Sequence, residues 1–252
     1  MCIRDSACSV RMGSRLLPAT VEDPATETPA ENPANASVIA VSMPERDESG
    51  SLIERILWVK ADSVTRGFLP CTPRSIYEEA FKLLNAPYGW GGTFGEQDCS
   101  QFLCEVFATT GITLPRNSSK QAKSGVSLVA FASIPGTDDS ARAAFITDRA
   151  LPAATLLRLP GHIMLYLGSV DGVPFAIHAT FGYRENVPSG VRGFSRERIR
   201  LINRVVVSNL ELGKGTSVGS HLSRLTDLAL IANETGPDAT IATAPLRAAE
   251  GQ

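Results

Sequence analysis

Hydrophobic residues recur at helical spacing in two segments of the first half of the chain. After Thr72–Pro73, which suit an N-cap and a first helical position, the pattern predicts a helix to about residue 85. A second helix of about three turns is predicted to begin at Asp98 or Cys99 and to end before Gly111, where a C-terminal cap belongs. Both helices precede most of the predicted strands.

The second half of the chain alternates apolar and polar residues, which is typical of strands. Residues 162–168 and 173–179 predict a hairpin whose turn runs from Gly168 to Gly172. Further elements are predicted as a short helix at 141–149, strands at 154–159 and 199–207, and a mixed segment at 210–230. Helices followed by an antiparallel sheet predict the α+β class, with the N-terminal helices packed on the sheet.

Changes in composition divide the chain into four parts. Residues 1–36 are predicted to be disordered or unreliable, because 18–36 are rich in Pro, Ala, Thr and Glu and lack large apolar side chains. The opening MCIRDS resembles an artefact of translated environmental sequence, so Met1 is not taken as a biological start. Residues 37–71 contain a predicted hairpin, residues 72–232 form the main domain, and residues 233–252 are predicted to be disordered.

The overall composition describes an ordinary globular protein of 252 residues, 43% apolar, with a net charge of −2. No basic run suggests a nucleic-acid partner, no apolar stretch is long enough to span a membrane, and no secretory signal peptide is visible. The five cysteines form neither a metal-binding spacing nor a disulfide framework. We expect a monomer that needs no metal or cofactor.

Cys99 is the candidate nucleophile of this sequence. It follows a glycine-rich approach and stands in the first turn of a predicted helix, where free amides and the positive dipole end favour a thiolate. Cys104, five residues further on, is expected to be a core residue.

A cysteine nucleophile needs a base, and the chain has three histidines. If Gly168 faces Gly172 in the predicted hairpin, His162 lies directly across from His178 and both rings share one face. One ring would then act as the base and the other would orient it. His221 lies in a loop-like stretch and has no evident partner.

In their order along the chain, five motifs resemble those of the NlpC-type papain-like cysteine peptidases, which cut the stem peptides of bacterial peptidoglycan. The motifs are Tyr88-Gly-Trp90-Gly-Gly, Asp98-Cys99-Ser100, Leu114-Pro115-Arg116-Asn117-Ser118, Gly161-His162 and Ile177-His178. The resemblance covers roughly residues 72–230. It implies Cys99 as nucleophile, His162 as base and His178 as the residue that orients the base.

The resemblance also assigns roles around the cysteine. It places Tyr88 beside the thiol, where it would hold the cysteine or the oxyanion. A subset of the family carries SH3-like domains before the catalytic domain, and residues 37–71 look like a partial SH3-like segment. In that subset, residues matching Asp98 and Ser100 bind the free amino group of the first L-alanine of the stem. A helix cap is the alternative for Asp98, while Arg116 and Trp90 are expected to be structural.

The implied function is hydrolysis of the bond between γ-D-glutamate and the diamino acid of peptidoglycan stem peptides, through a thioester on Cys99. One alternative is a murein amidase of other bond specificity. Another is a catalytically inert protein that binds the cell wall, although such a protein would have no reason to keep all three residues of the predicted triad. The expected location is the periplasm or the cell exterior, with cytoplasmic recycling of murein peptides as the alternative.

Overall fold

The computed structural model describes residues 10–19, 38–131, 137–187 and 196–231. The helices are α1 (Pro73–Lys82), α2 (Cys99–Ala108), α3 (Ser118–Gln121) and α4 (Asp139–Arg149). The strands are β1 (Leu17–Pro18), β2 (Val38–Arg46), β3 (Leu52–Lys60), β4 (Val126–Ala130), β5 (Thr155–Leu159), β6 (His162–Val170), β7 (Val173–Asn186), β8 (Glu197–Asn209) and β9 (Asp227–Leu230).

Side-chain caps fix the start of both predicted helices. The Thr72 hydroxyl accepts a hydrogen bond from the Ser75 amide at 3.2 Å, and Pro73 follows it at the first helical position. At α2, Oδ1 of Asp98 accepts a bond from the Gln101 amide at 2.8 Å. The sequence therefore predicted both starts correctly. Helix α1 ends at Lys82, earlier than predicted, and the chain turns at Asn85 with a φ of 66°.

The main sheet is antiparallel and has six strands in the order β4-β9-β5-β6-β7-β8. The two strands at one edge of this sheet, β4 and β9, were not predicted from the sequence. They have five and four residues, which are too few to show a clear alternation of apolar and polar positions. The order of helices and antiparallel strands confirms the α+β class.

Two hydrophobic clusters lie against this sheet. Apolar residues of α2, led by Phe102 and Leu103, share one cluster with Ile163 and Ile177 of the central strands. The alternating residues of those strands, such as Met164, belong to a second cluster that includes residues of α4. Burial on both faces holds the central hairpin rigidly below the start of α2.

The central hairpin has a different register from the predicted one. Val170 pairs with Val173, so the turn is Asp171–Gly172 rather than a longer loop from Gly168. A bulge follows between Tyr166 and Gly168, and beyond it Leu165 pairs with Ile177. His162 therefore does not lie directly across from His178, and that part of the prediction is wrong.

The bulge nevertheless puts both histidines on one face. Beyond it, the register places Met164 opposite His178, so His162 is two positions away and points to the same side. If the register at the turn continued without the bulge, Leu165 would face His178 and the two rings would lie on opposite faces. The hydroxyl of Tyr77 in α1 donates to the Leu167 carbonyl at 2.7 Å and so holds the bulge.

A second, smaller sheet joins β1, β2 and β3. The hairpin of β2 and β3 was predicted, but β1 lies inside the segment expected to be disordered. That expectation is wrong for residues 10–19: Arg11 donates to Glu105 of α2 at 2.7 Å and to the Gly92 carbonyl at 2.7 Å. The rest of residues 1–36 and the predicted tail 233–252 lie outside the described residues. The SH3-like assignment of residues 37–71 stays a prediction.

Candidate active site

The glycine-rich approach to Cys99 is a closed loop. The amides of Gly89 and Gln97 donate to the carbonyls of Gln97 and Pro87, so the two ends of the loop meet. Gly92 has a φ of 73°, and a Cβ on Gly89 would lie 2.5 Å from the Cβ of Glu96, so both positions require glycine. The loop thus brings Tyr88 alongside the first residues of α2.

Cys99 is buried at the N-terminus of α2. Backbone groups of Ile163, which is the residue after His162 in β6, of Ser100 and of Cys99 itself act on this thiol and favour a lower pKa. The start of the helix and the start of the strand therefore meet at this thiol. We therefore expect an imidazole nitrogen of His162 to lie within about 4 Å of the sulfur.

Burial governs the protonation of both predicted reacting groups. It raises the pKa of the Cys99 thiol, with the Asp98 carboxylate as a further cause, and outweighs the backbone hydrogen bonds that lower it. Burial also lowers the pKa of His162 to about 3, helped by the nearby His221 and Arg224. The resting site accordingly holds a neutral thiol and a neutral imidazole, and the thiolate expected from the helix dipole alone is not favoured.

His162 and His178 form a hydrogen-bonded pair. Nε2 of His162 lies 2.8 Å from Nδ1 of His178, and Nε2 of His178 lies 3.0 Å from the Ser208 hydroxyl of β8. One consistent arrangement has each Nε2 as the donor, which leaves the Nδ1 lone pair of His162 free to accept a proton. Ser208 was not singled out from the sequence, since its place beside His178 depends on the pairing of β7 with β8.

His221 completes a cluster of all three histidines. Its ring centroid lies 5.7 Å from those of both His162 and His178, and burial lowers its pKa to about 4. The sequence analysis found no partner for it. One signal was available: the chain has three histidines, and His221 was the one left after His162 and His178 had been paired. Among the residues that the structure describes, no group of three or more His, Cys, Asp or Glu is arranged to hold a metal ion.

Asp98 and Ser100 flank the cysteine and share one cation. Arg116 donates to Oδ1 of Asp98 at 3.0 Å, to Oδ2 of Asp98, and to the Ser100 hydroxyl at 2.7 Å. Burial raises the pKa of Asp98. The ion pair with Arg116 and the hydrogen bond from the Gln101 amide outweigh burial and hold this pKa below its ordinary value. Arg116 is therefore part of the site surroundings, which sequence reasoning missed by treating it as a default structural residue.

Tyr88 is close enough to Cys99 for the two to influence each other. Burial first, and then the negative charges that Cys99 and Asp98 can carry, raise the pKa of Tyr88 to about 12, so its hydroxyl stays a proton donor at neutral pH. Its ring contacts Trp90 edge-on, with centroids 5.3 Å apart. Trp90 is 66% exposed and contacts Phe181 as well, so it is not a buried packing residue.

Cys104 lies away from the reacting groups. Its thiol contacts the Leu114 carbonyl at 3.4 Å and accepts a bond from the Gln121 amide at 3.2 Å. Burial raises its pKa, and no histidine is among its hydrogen-bond partners in the described part of the chain. It has the surroundings expected of a core thiol.

Comparison with known proteins finds a family model that matches part of the chain. Residues 85–187 match the model of the NlpC/P60 family. This span contains Tyr88, the Asp98–Ser100 motif, His162 and His178, while Ser208, His221 and Arg224 lie beyond it. A search of the curated proteins finds no match.

Two solved structures are similar to this chain at low sequence identity. An NlpC/P60 endopeptidase from Photobacterium damselae subsp. piscicida has a TM-score of 0.59 at 19% identity, over 87% of this chain and 52% of its own. An NlpC/P60 family protein from Bacillus cereus has a TM-score of 0.47 at 18% identity, over 76% and 50%. The chain spans about half the length of these two proteins. The first likeness confirms the papain-like NlpC/P60 fold.

Proposed function

Because this chain contains an NlpC/P60 family domain, we propose that it is a cysteine peptidase that hydrolyses an amide bond in peptidoglycan stem peptides. The bond we propose joins γ-D-glutamate to the diamino acid. One observation carries the proposal: a buried cysteine at a helix N-terminus meets the start of a strand whose first residue, His162, is hydrogen-bonded to His178. A protein that only binds the cell wall would not need this arrangement.

The first half-reaction forms a thioester. As the Cys99 sulfur attacks the scissile carbonyl carbon, its proton passes to His162, so the two groups become charged together. Burial disfavours each charge alone, but the thiolate and imidazolium attract each other, and the pair carries no net charge. The tetrahedral intermediate then collapses, the carbon–nitrogen bond breaks, and the proton on His162 goes to the departing amine.

The second half-reaction releases the acyl group. His162 takes a proton from water, the resulting hydroxide attacks the thioester carbon, and the Cys99 sulfur leaves and recovers its proton from His162. His178 has no negative charge to offer, so its role is to hold the ring of His162 in one orientation through the 2.8 Å bond. The Ser208 hydroxyl holds His178 in turn.

Tyr88 is the proposed donor to the oxyanion of the intermediate. Its raised pKa, which keeps the phenol protonated, and the electrostatic influence of Cys99 on it support this role. Asp98 and Ser100 are proposed to contact the free amino group of the first L-alanine. Since Arg116 already pairs with both side chains, an ammonium would have to share the Asp98 carboxylate with that guanidinium.

The substrate sets the proposed place of action, which is the cell wall, in the periplasm or outside the cell. No helix among the described residues is both long and apolar enough to cross a membrane. The monomeric state stays a prediction.

Digestion of stem peptides released from purified murein, in which the amino group of the first L-alanine is free, tests the proposed bond. The products are identified by mass spectrometry, and the proposal expects fragments that end in γ-D-glutamate together with fragments that begin with a free diamino acid amine. Fragments cut at a different amide bond would indicate an amidase of other specificity and would contradict the proposed bond.

A further inference from the structure

A turn near the C-terminal end of the described chain lies beside the proposed base. Residues 220–224 form this turn, in which the Arg224 amide donates to the Ser220 carbonyl at 3.2 Å. The His221 ring lies 5.7 Å from that of His162, and Arg224 donates a long bond of 3.5 Å to the Pro160 carbonyl, two residues before His162. The turn lies outside the span that matches the family.

Two polar groups of this turn have unsatisfied interactions. Nδ1 of His221 has no hydrogen-bond partner among the described residues, and the residue is only 5% exposed. Arg224 has no carboxylate within ion-pair distance among the residues that the structure describes. The arginine on the cysteine side of the site differs, because Asp98 neutralises Arg116.

An unpaired cation beside a base works against catalysis. The base must accept a proton from the thiol, and the charge of Arg224 helps to lower the pKa of His162 and so opposes that step. A substrate anion on Arg224 would cancel this effect at the moment of reaction. It would also give the guanidinium the charge partner that a partly buried arginine lacks here.

We propose that Arg224, with His221 beside it, forms a subsite for a carboxylate on the leaving-group side of the substrate. Since His162 delivers its proton to the departing amine, a cation that lies next to His162 faces the residue that carries this amine. On the proposed function, on which this inference rests, that residue is the diamino acid. The carboxylate recognised is therefore one of the diamino acid's own.

Three peptides test the subsite with the full-length protein. The first is the tripeptide L-alanyl-γ-D-glutamyl-diamino acid, the second has the diamino acid carboxyl groups amidated, and the third has only the glutamate α-carboxyl amidated. For the parent protein, amidating the diamino acid should lower kcat/KM by about 10- to 100-fold, the effect of losing a charge-assisted hydrogen bond. The third peptide should be cleaved about as well as the first.

Arg224→Gln should remove this discrimination. The variant should cleave the first and second peptides at similar rates, both below the parent's rate on the first peptide. Arg224→Lys, which keeps the charge, should retain part of the preference. His221→Phe, which keeps the ring but removes both nitrogens, should reduce it. Arg74→Gln is the matched control, because Arg74 is exposed on α1 and pairs with Glu78.

Each other outcome has a definite meaning. Equal parent rates on the first two peptides, or full discrimination by Arg224→Gln, would overturn the subsite while the proposed function stands. A rate loss on the third peptide instead of the second would place the recognised carboxylate on the acyl side and also overturn it. If the parent cleaves none of the three peptides, the proposed function fails, and the subsite fails with it.

Discussion

Asp98 shows how one side chain serves two purposes at the residue scale. It caps α2 through the Gln101 amide, as either interpretation of the sequence required, and it also pairs with Arg116. The cap tolerates asparagine, because asparagine and aspartate are similar N-cap residues. The ion pair does not tolerate it, since asparagine carries no charge.

The proposed amine recognition predicts that Asp98→Asn lowers kcat/KM on a free tripeptide stem by roughly 30- to 1000-fold, the effect of removing one partner of a buried charge pair. Arg116→Gln separates the two partners of Asp98, because it removes the guanidinium and leaves the carboxylate. The assay compares a free tripeptide with its N-acetylated form. Equal parent rates on both forms would rule out recognition of the amine, whatever the variants do.

Tyr88 offers a second prediction at this scale. Tyr88→Phe removes the proposed oxyanion donor but keeps the ring that contacts Trp90, so the fold should be unchanged. Loss of one such donor typically costs about 100- to 1000-fold in kcat, and we expect kcat to fall by at least tenfold with little change in KM. A variant with the parent's kcat would show that the Tyr88 hydroxyl is not that donor.

At the scale of elements, the bulge at Leu167 sets the register between β6 and β7. The bulge absorbs Leu167 as an extra residue, so deleting Leu167 would give a regular ladder in which Met164 still lies opposite His178. The two histidines should then stay on one face, and most activity should remain. Loss of activity in a folded deletion variant would contradict this register. Leu167→Ala is the matched control, because it keeps the backbone count and should lower only stability, by up to a few kcal/mol. Activity assays and thermal unfolding are measured for both variants.

The same bulge explains why sequence reasoning reached a correct conclusion by a wrong register. Alternation along β6 and β7 predicted that the histidines share a face, but it could not show that one extra residue shifts the pairing. The bulge depends on Tyr77, almost a hundred positions away in the chain, whose hydroxyl donates to Leu167. Long-range contacts of this kind leave no mark on the local pattern. The starts of α1 and α2, fixed by neighbouring residues, were predicted correctly.

At the scale of the whole molecule, His178 and His221 are buried and His162 is half-buried, and no carboxylate is bonded to any of them in the described part of the chain. The pKa of each histidine is lowered from the ordinary value of 6.5. It is lowered to about 3 for His162, to about 4 for His221, and well below 6.5 for His178. Burial is the largest cause for each. The unfolded chain therefore binds protons at mildly acidic pH that the folded protein does not.

This difference predicts a pH dependence of stability. The free energy of unfolding is highest above about pH 6.5, where the histidines are neutral in both states. It falls as the pH drops from there towards the histidine pKa values of the folded protein, because protons then bind to and favour the unfolded chain. Each histidine should contribute about 1.4 kcal/mol per pH unit within that window. Urea unfolding between pH 7 and pH 5 measures the slope, and His221→Asn should make it shallower. A stability that rises towards pH 5 would contradict the buried neutral cluster.

The most direct test of the central claim is hydrolysis of a free tripeptide stem by Cys99→Ala, with Cys104→Ala as the matched control. Both substitutions remove one buried or partly buried thiol, but only Cys99 meets the strand that begins with His162. Cys99→Ala should unfold like the parent and retain less than about one hundredth of its kcat, while Cys104→Ala should keep most activity and lose some stability. Activity of a folded Cys99→Ala above that level would contradict a thioester on Cys99.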